Sequence, residues 1–200
     1  KTNYITFYFV SPLDGKRASY NTLLSRVLTR GTANFPTQIK LNRALDEIYD
    51  ASLSSDCVKV GEWHALSVSL ALLDNAFALQ GEDITSKGLD LLEEVIFRPY
   101  LPDGIFSEEY VMGEKKMALL EIDSLVNNKA RYARQRMIEC MCEKESYSTC
   151  ALGEKRELKK IRAKDLFAYY KNLLSTGKIE IFFVGRFDQD AVEKRVEKQP

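Results

Sequence analysis

Two stretches of alternating hydrophobicity, Ala51 to Val60 and His64 to Leu73, lie either side of a short turn at Gly61-Glu62, and this spacing constrains the chain more than any other feature. A period of two places alternate side chains on one face, so Val58 and Val60 together with Leu66, Val68 and Leu70 predict a half-buried antiparallel pair. Tyr4 to Val10 is β-branched and aromatic throughout and predicts a further strand, ended by a turn at Pro12 and Asp14-Gly15. Lys178 to Val184, closed by Gly185, predicts a final one.

The remaining apolar residues recur at helical spacing. Leu23, Leu24, Val27 and Leu28 form one stripe in Ala18 to Arg30, which Gly31-Thr32 closes. Ile39, Leu41, Leu45 and Ile48 form another in Thr37 to Tyr49, and Leu89, Leu92, Val95 and Ile96 a third in Ile84 to Phe97. Pro99, Pro102 and Gly104 end that third helix. Ser107 reads as an N-cap, with Glu108 and Glu109 in the positive first turn of a helix running to Ile122 or beyond. Ala130 to Met141 and Lys164 to Leu174 are helical in turn. An adjacent strand pair combined with a long run of helices predicts an α+β layer, one mainly antiparallel sheet with helices on a face.

Charge and cysteine content exclude several function classes. Lys plus Arg (29) cancels Asp plus Glu (29), so no basic field points to nucleic acid or an anionic membrane surface. No run approaches the roughly 18 apolar residues of a membrane helix. The opening residues Lys1-Thr2-Asn3-Tyr4 are strand-like rather than leader-like, and the ending Lys198-Gln199-Pro200 reads as a cut through a longer protein. Four cysteines, Cys57, Cys140, Cys142 and Cys150, are too few for a disulfide scaffold and predict a cytoplasmic protein with the thiols buried as small hydrophobes. Their spacing fits no common zinc pattern, and the lone histidine, His64, reads as a satisfied structural residue. The cations between Lys155 and Lys164 alternate with Glu154, Glu157 and Asp165, as on a solvated helical face.

Three blocks in order carry a family resemblance. Residues 22–32, with their ending Arg30-Gly31-Thr32, resemble the signature helix of the pitrilysin/insulinase zinc peptidases, whose motif is His-x-x-Glu-His. Residues 106–122 resemble that family's acidic helix, and Gly153 to Tyr170 with Ile179 to Gly185 resemble its last helix and strand. The resemblance covers nearly the whole chain and implies a single, nearly complete N-terminal domain over residues 1–200, part of a two- or multi-domain protein. It places Thr22 and Arg26 where the family has its zinc-binding histidines and Ser25 where it has the catalytic Glu. Glu121 falls at the third zinc ligand and Glu114 at its helper Glu.

None of the first three residues suits the chemistry. Threonine is a poor ligand, arginine brings a permanent cation, and serine is no base near neutral pH. The resemblance therefore implies an inactive bacterial member, with no zinc in this chain and no catalytic residue. Its expected role is a pseudo-peptidase subunit that completes a peptide-binding chamber with an active zinc-bearing homologue, or as a self-dimer. An active peptidase with ligands elsewhere and a purely structural scaffold are the alternatives. At the degenerate site, Arg26 either pairs with Glu121 in place of the metal or faces solvent, and Glu114 reads as a solvated helix residue.

Overall fold

The computed structural model describes residues 1–196; the predicted cut at Lys198-Gln199-Pro200 lies outside the described residues. Four strands, β1 (Thr2–Pro12), β2 (Ser52–Val60), β3 (Trp63–Leu73) and β4 (Lys178–Val184), form one antiparallel sheet in the order β2-β3-β1-β4. Eight helices accompany them among the described residues: α1 (Gly15–Leu28), α2 (Gln38–Asp46), α3 (Ile84–Phe97), α4 (Glu108–Ser124), α5 (Lys129–Met141), α6 (Lys155–Lys160), α7 (Ala163–Thr176) and α8 (Gln189–Val196). The α+β architecture read from the sequence is borne out. None of these helices is long and apolar enough to cross a membrane.

The core lies between one face of the sheet and the helical layer. Ile5, Phe7 and Phe9 of β1 and Leu66, Val68 and Leu70 of β3 point into it, facing Leu23, Leu24, Val27 and Leu28 of α1. On α3, Gly88 meets β3 so closely that a Cβ there would sit 3.1 Å from the methyl carbons of Leu70 and Leu72. The alternation in β2 runs opposite to expectation: Cys57 points inward, whereas Val58 and Val60 are exposed on the outer face. Ile39, counted in the apolar stripe of α2, is also exposed.

Local chemistry explains the ends of α1. Asp14-Gly15 does not make a separate turn; the Asp14 carboxylate accepts from the Arg17 amide at 2.7 Å and starts the helix. Gly31 serves close approach rather than a left-handed cap. A Cβ there would lie 2.7 Å from the Pro36 carbonyl oxygen. The ending is then tied to α3 through Glu94, whose buried carboxylate accepts from the Thr32 hydroxyl at 2.6 Å and from the Asn34 amide and side chain at 2.9 Å each.

His64 is structural, as its sequence context predicted. The Asn21 side chain of α1 donates to Nδ1 at 2.9 Å, and its own oxygen accepts from the Tyr169 hydroxyl at 2.8 Å, which fixes the amide orientation. Nε2–H is left to donate to the Ala151 carbonyl at 2.9 Å. Burial pushes the imidazole below its ordinary value of 6.5, against the pull of that carbonyl. The unfolded chain takes up a proton near pH 6.5 that the folded chain refuses. Stability present above that pH is therefore lost as pH falls through it toward the lower folded value. Thermal denaturation followed between about pH 7.5 and 5 should show this loss, and His64→Gln should flatten it. A ring that titrates at or above 6.5 by NMR, where it is the only imidazole, overturns the assignment.

Candidate functional site

Helices α1 and α4 pack side by side, and the five positions singled out by the sequence converge between them. Thr22 and Arg26 are four residues apart and share a face of α1; Glu114 and Glu121 are two turns apart and share a face of α4. With Ser25, Thr29, Arg30 and Gln38 they line a polar cleft of about 340 Å³, floored by Ser55 and Cys57 of β2.

The hydroxyls on α1 are engaged with backbone. Thr22 donates to the Ala151 carbonyl at 3.4 Å, and Ser25 to the Thr22 carbonyl at 3.0 Å. The Ser55 hydroxyl donates to the Ser25 carbonyl at 2.9 Å, which docks α1 on the sheet. Burial pushes the Cys57 thiol up to about 12, so it is an inert part of the floor rather than a nucleophile. The other cysteines depart from expectation. Cys140 is exposed, on α5, which buries none of its residues, and Cys142 and Cys150 are half-buried beyond its end.

The charged side chains form an alternating chain. Arg26 is ion-paired through Nη2 with Glu121, and its Nη1 lies 3.8 Å from Glu114. Arg30 places Nε 3.1 Å from the other oxygen of Glu114 and its guanidinium over the ring of Tyr110. Arg131 of α5 lies 3.8 Å from the far oxygen of Glu121. The order is thus Arg131, Glu121, Arg26, Glu114, Arg30. Arg26 in the last turn of α1 and Arg30 two residues past its end bring two like charges together, and the shared Glu114 between them offsets their repulsion.

Of the two readings of Arg26, pairing with Glu121 is the one observed. The solvated reading of Glu114 is corrected: it is 8% exposed and held by two guanidinium groups. Its i, i+7 spacing from Glu121 was the available signal, since two carboxylates on one face need cations nearby. Arg30 and Arg131 were not singled out as site residues; the spacing of Arg30 from Arg26 was a usable sign, whereas the position of Arg131 depends on how α5 folds back beside α4.

This donor set does not fit a zinc ion. A permanent cation stands between the two carboxylates, and the hydroxyls at Thr22 and Ser25 are turned toward carbonyls. Among the described residues no three His, Cys, Asp or Glu side chains are grouped to hold a metal. No side chain in the cleft is placed as a general base for Ser25, whose hydroxyl is spent on the Thr22 carbonyl.

The chain matches no known protein-family profile. It is 30% identical over 198 residues to the probable inactive metalloprotease YmfF of Bacillus subtilis (strain 168), covering 99% of this chain and 46% of that protein. A conserved protein from Enterococcus faecalis V583 superposes with a TM-score of 0.92 at 26% identity, over 100% of this chain and 47% of that one. A putative M16-like peptidase from Alicyclobacillus acidocaldarius superposes at 0.67 with 13% identity, over 100% of this chain and 45% of that one, a likeness of fold alone. The chain therefore spans about half the length of the relatives it matches. The resemblance drawn from the three sequence blocks is borne out.

Proposed function

We propose that this chain, a relative of the pitrilysin/insulinase-type peptidases, is the N-terminal half of a cytoplasmic pseudo-peptidase that completes a peptide-binding chamber with an active zinc-bearing homologue. The observation that supports it is the guanidinium of Arg26 held between Glu121 and Glu114. The sequence resemblance implies that this is the metal position of the active members. A cation fixed on the protein keeps the two helices together without metal, so the fold persists where the chemistry does not. What such a domain retains is shape: a polar cleft beside the sheet that can accept peptide groups by hydrogen bonds and cannot activate water.

Two measurements on the full-length protein test this reading, zinc content by elemental analysis and turnover of a fluorogenic peptide. Each is done alone and after mixing with a homologue from the same cell that carries an intact His-x-x-Glu-His helix. The expected result is negligible zinc and no turnover alone, with the pair more active than the homologue by itself. Near-equimolar zinc with chelator-sensitive turnover in the isolated protein overturns the proposal in favour of an active peptidase. Pairing without any gain in activity or peptide binding points instead to a scaffold.

A further inference from the structure

Helix α5 keeps most of its apolar side chains on the outside. At 100° per residue, Ala130, Ala133, Met137, Cys140 and Met141 fall on one side of it. All five are exposed, Met137 to 53% and Met141 to 74%. Its half-buried positions are Gln135, Ile138 and Glu139, of which Gln135 and Glu139 lie opposite the stripe and are hydrogen-bonded to each other at 3.0 Å. A surface helix that served only this domain would turn its apolar stripe inward. Here only Ile138 among the apolar side chains is turned partly inward, and the five-residue stripe faces out.

The charges along the stripe indicate what fits it. The helix carries Lys129, Arg131, Arg134 and Arg136 before its first acidic residue, Glu139. Arg131 and Arg136 are paired with Glu121 and Glu139, whereas Lys129 and Arg134, at the edges of the stripe, make no ion pair among the described residues. The chain as a whole is neutral, so this basic edge is local. A complementary surface is apolar at its centre and carries carboxylates on its rim. Methionine side chains adapt to an irregular partner surface, and the two alanines permit close approach of a second helix. The contact of Arg131 with Glu121 also places α5 beside the cleft.

We infer that the outward face of α5 is the docking surface for an acidic-rimmed amphipathic helix of the zinc-bearing homologue, held there against the cleft. The inference rests on the functional reading above and adds to it the place of contact and the chemistry of the partner surface.

The test uses full-length protein and the zinc-bearing homologue in analytical ultracentrifugation, with the variants Met137→Glu/Met141→Glu and Arg134→Glu. Both methionines are more than half exposed, so the double variant should keep the circular dichroism and Tm of the unmodified protein. Its affinity for the homologue should fall at least about tenfold. Arg134→Glu should weaken binding less and reduce its salt dependence. Affinity unchanged in both variants overturns the inference and leaves the functional reading standing. A fall in the Tm of the double variant without partner also overturns it, since the stripe is then covered by another part of the same polypeptide. Failure of the unmodified protein to associate with the homologue overturns both.

Discussion

Replacing Glu94 with alanine is expected to lower the unfolding free energy by about 2–4 kcal/mol, read from urea denaturation. The carboxylate is buried and accepts from one hydroxyl, one backbone amide and one side-chain amide, all in the segment that follows α1. Removing it strands the buried Thr32 hydroxyl, at a cost on the order of 1–3 kcal/mol, and loses two charge-assisted bonds from Asn34, an exposed residue whose donors can turn to water. Glu94→Gln separates charge from hydrogen bonding. Its carbonyl oxygen replaces the oxygen that accepts from Thr32 and the Asn34 amide, and the Asn34 side chain can turn its own oxygen toward the new amide. It should therefore lose about 1 kcal/mol or less. An alanine variant within about 0.5 kcal/mol of the parent shows that Glu94 does not hold the segment. The test matters for function because this segment continues the helix that carries Thr22, Ser25 and Arg26. The retained Gly31-Thr32 ending is scaffolding: Gly31 for close packing on Pro36, Thr32 for the bond to Glu94.

Much of this fold was legible because the strong periodic signals and the chain punctuation agree. Ile84–Phe97 runs between Asp83, whose carboxylate accepts from the Ser86 amide, and a proline two residues past its end, so the stripe and its limits coincide with α3. Ser107 caps α4 as its sequence context required. The parity of β2 was not legible. Alternation fixes two faces but not which one is inward, and here the face with the two valines points out, leaving Leu53 and Cys57 to the core. Glu94 was invisible for a different reason. On α3 it looks like any helix carboxylate, and the donors that bury it lie 60 and 62 residues earlier. The same holds for Glu114, whose cations come from the end of α1 and the turn after it, more than 80 residues upstream. Sequence patterns record what is local or repeated, whereas the electrostatics of this cleft come from packing two distant helices together.

The same packing makes the site reversible by substitution. Arg26→Ala alone should destabilise the domain by about 1–2 kcal/mol, a figure reduced because Arg26 and Glu121 remain partly exposed to water. Glu114 and Glu121 would then lie on one face of α4 with only Arg30 and Arg131 to balance them. Thr22→His with Arg26→His fills that gap with two imidazoles on one face of α1, opposite Glu121. Metal that binds only the folded state stabilises it by mass action, about 2.7 kcal/mol at a hundredfold excess of zinc over its Kd. Zinc should therefore raise the Tm of the double-His variant well beyond the loss caused by removing Arg26, and leave the parent unchanged. Adding Glu121→Ala should abolish most of the shift, because a third ligand completes the set that two histidines begin. Adding Ser25→Glu places a carboxylate beside the metal position, yet turnover need not follow, since hydrogen bonds that orient each ligand have not been supplied. A folded double-His variant that ignores zinc, or responds equally without Glu121, means that the cleft between α1 and α4 is not the vestige of a metal site. A shift that depends on Glu121 identifies Arg26 as the residue that took the place of the ion.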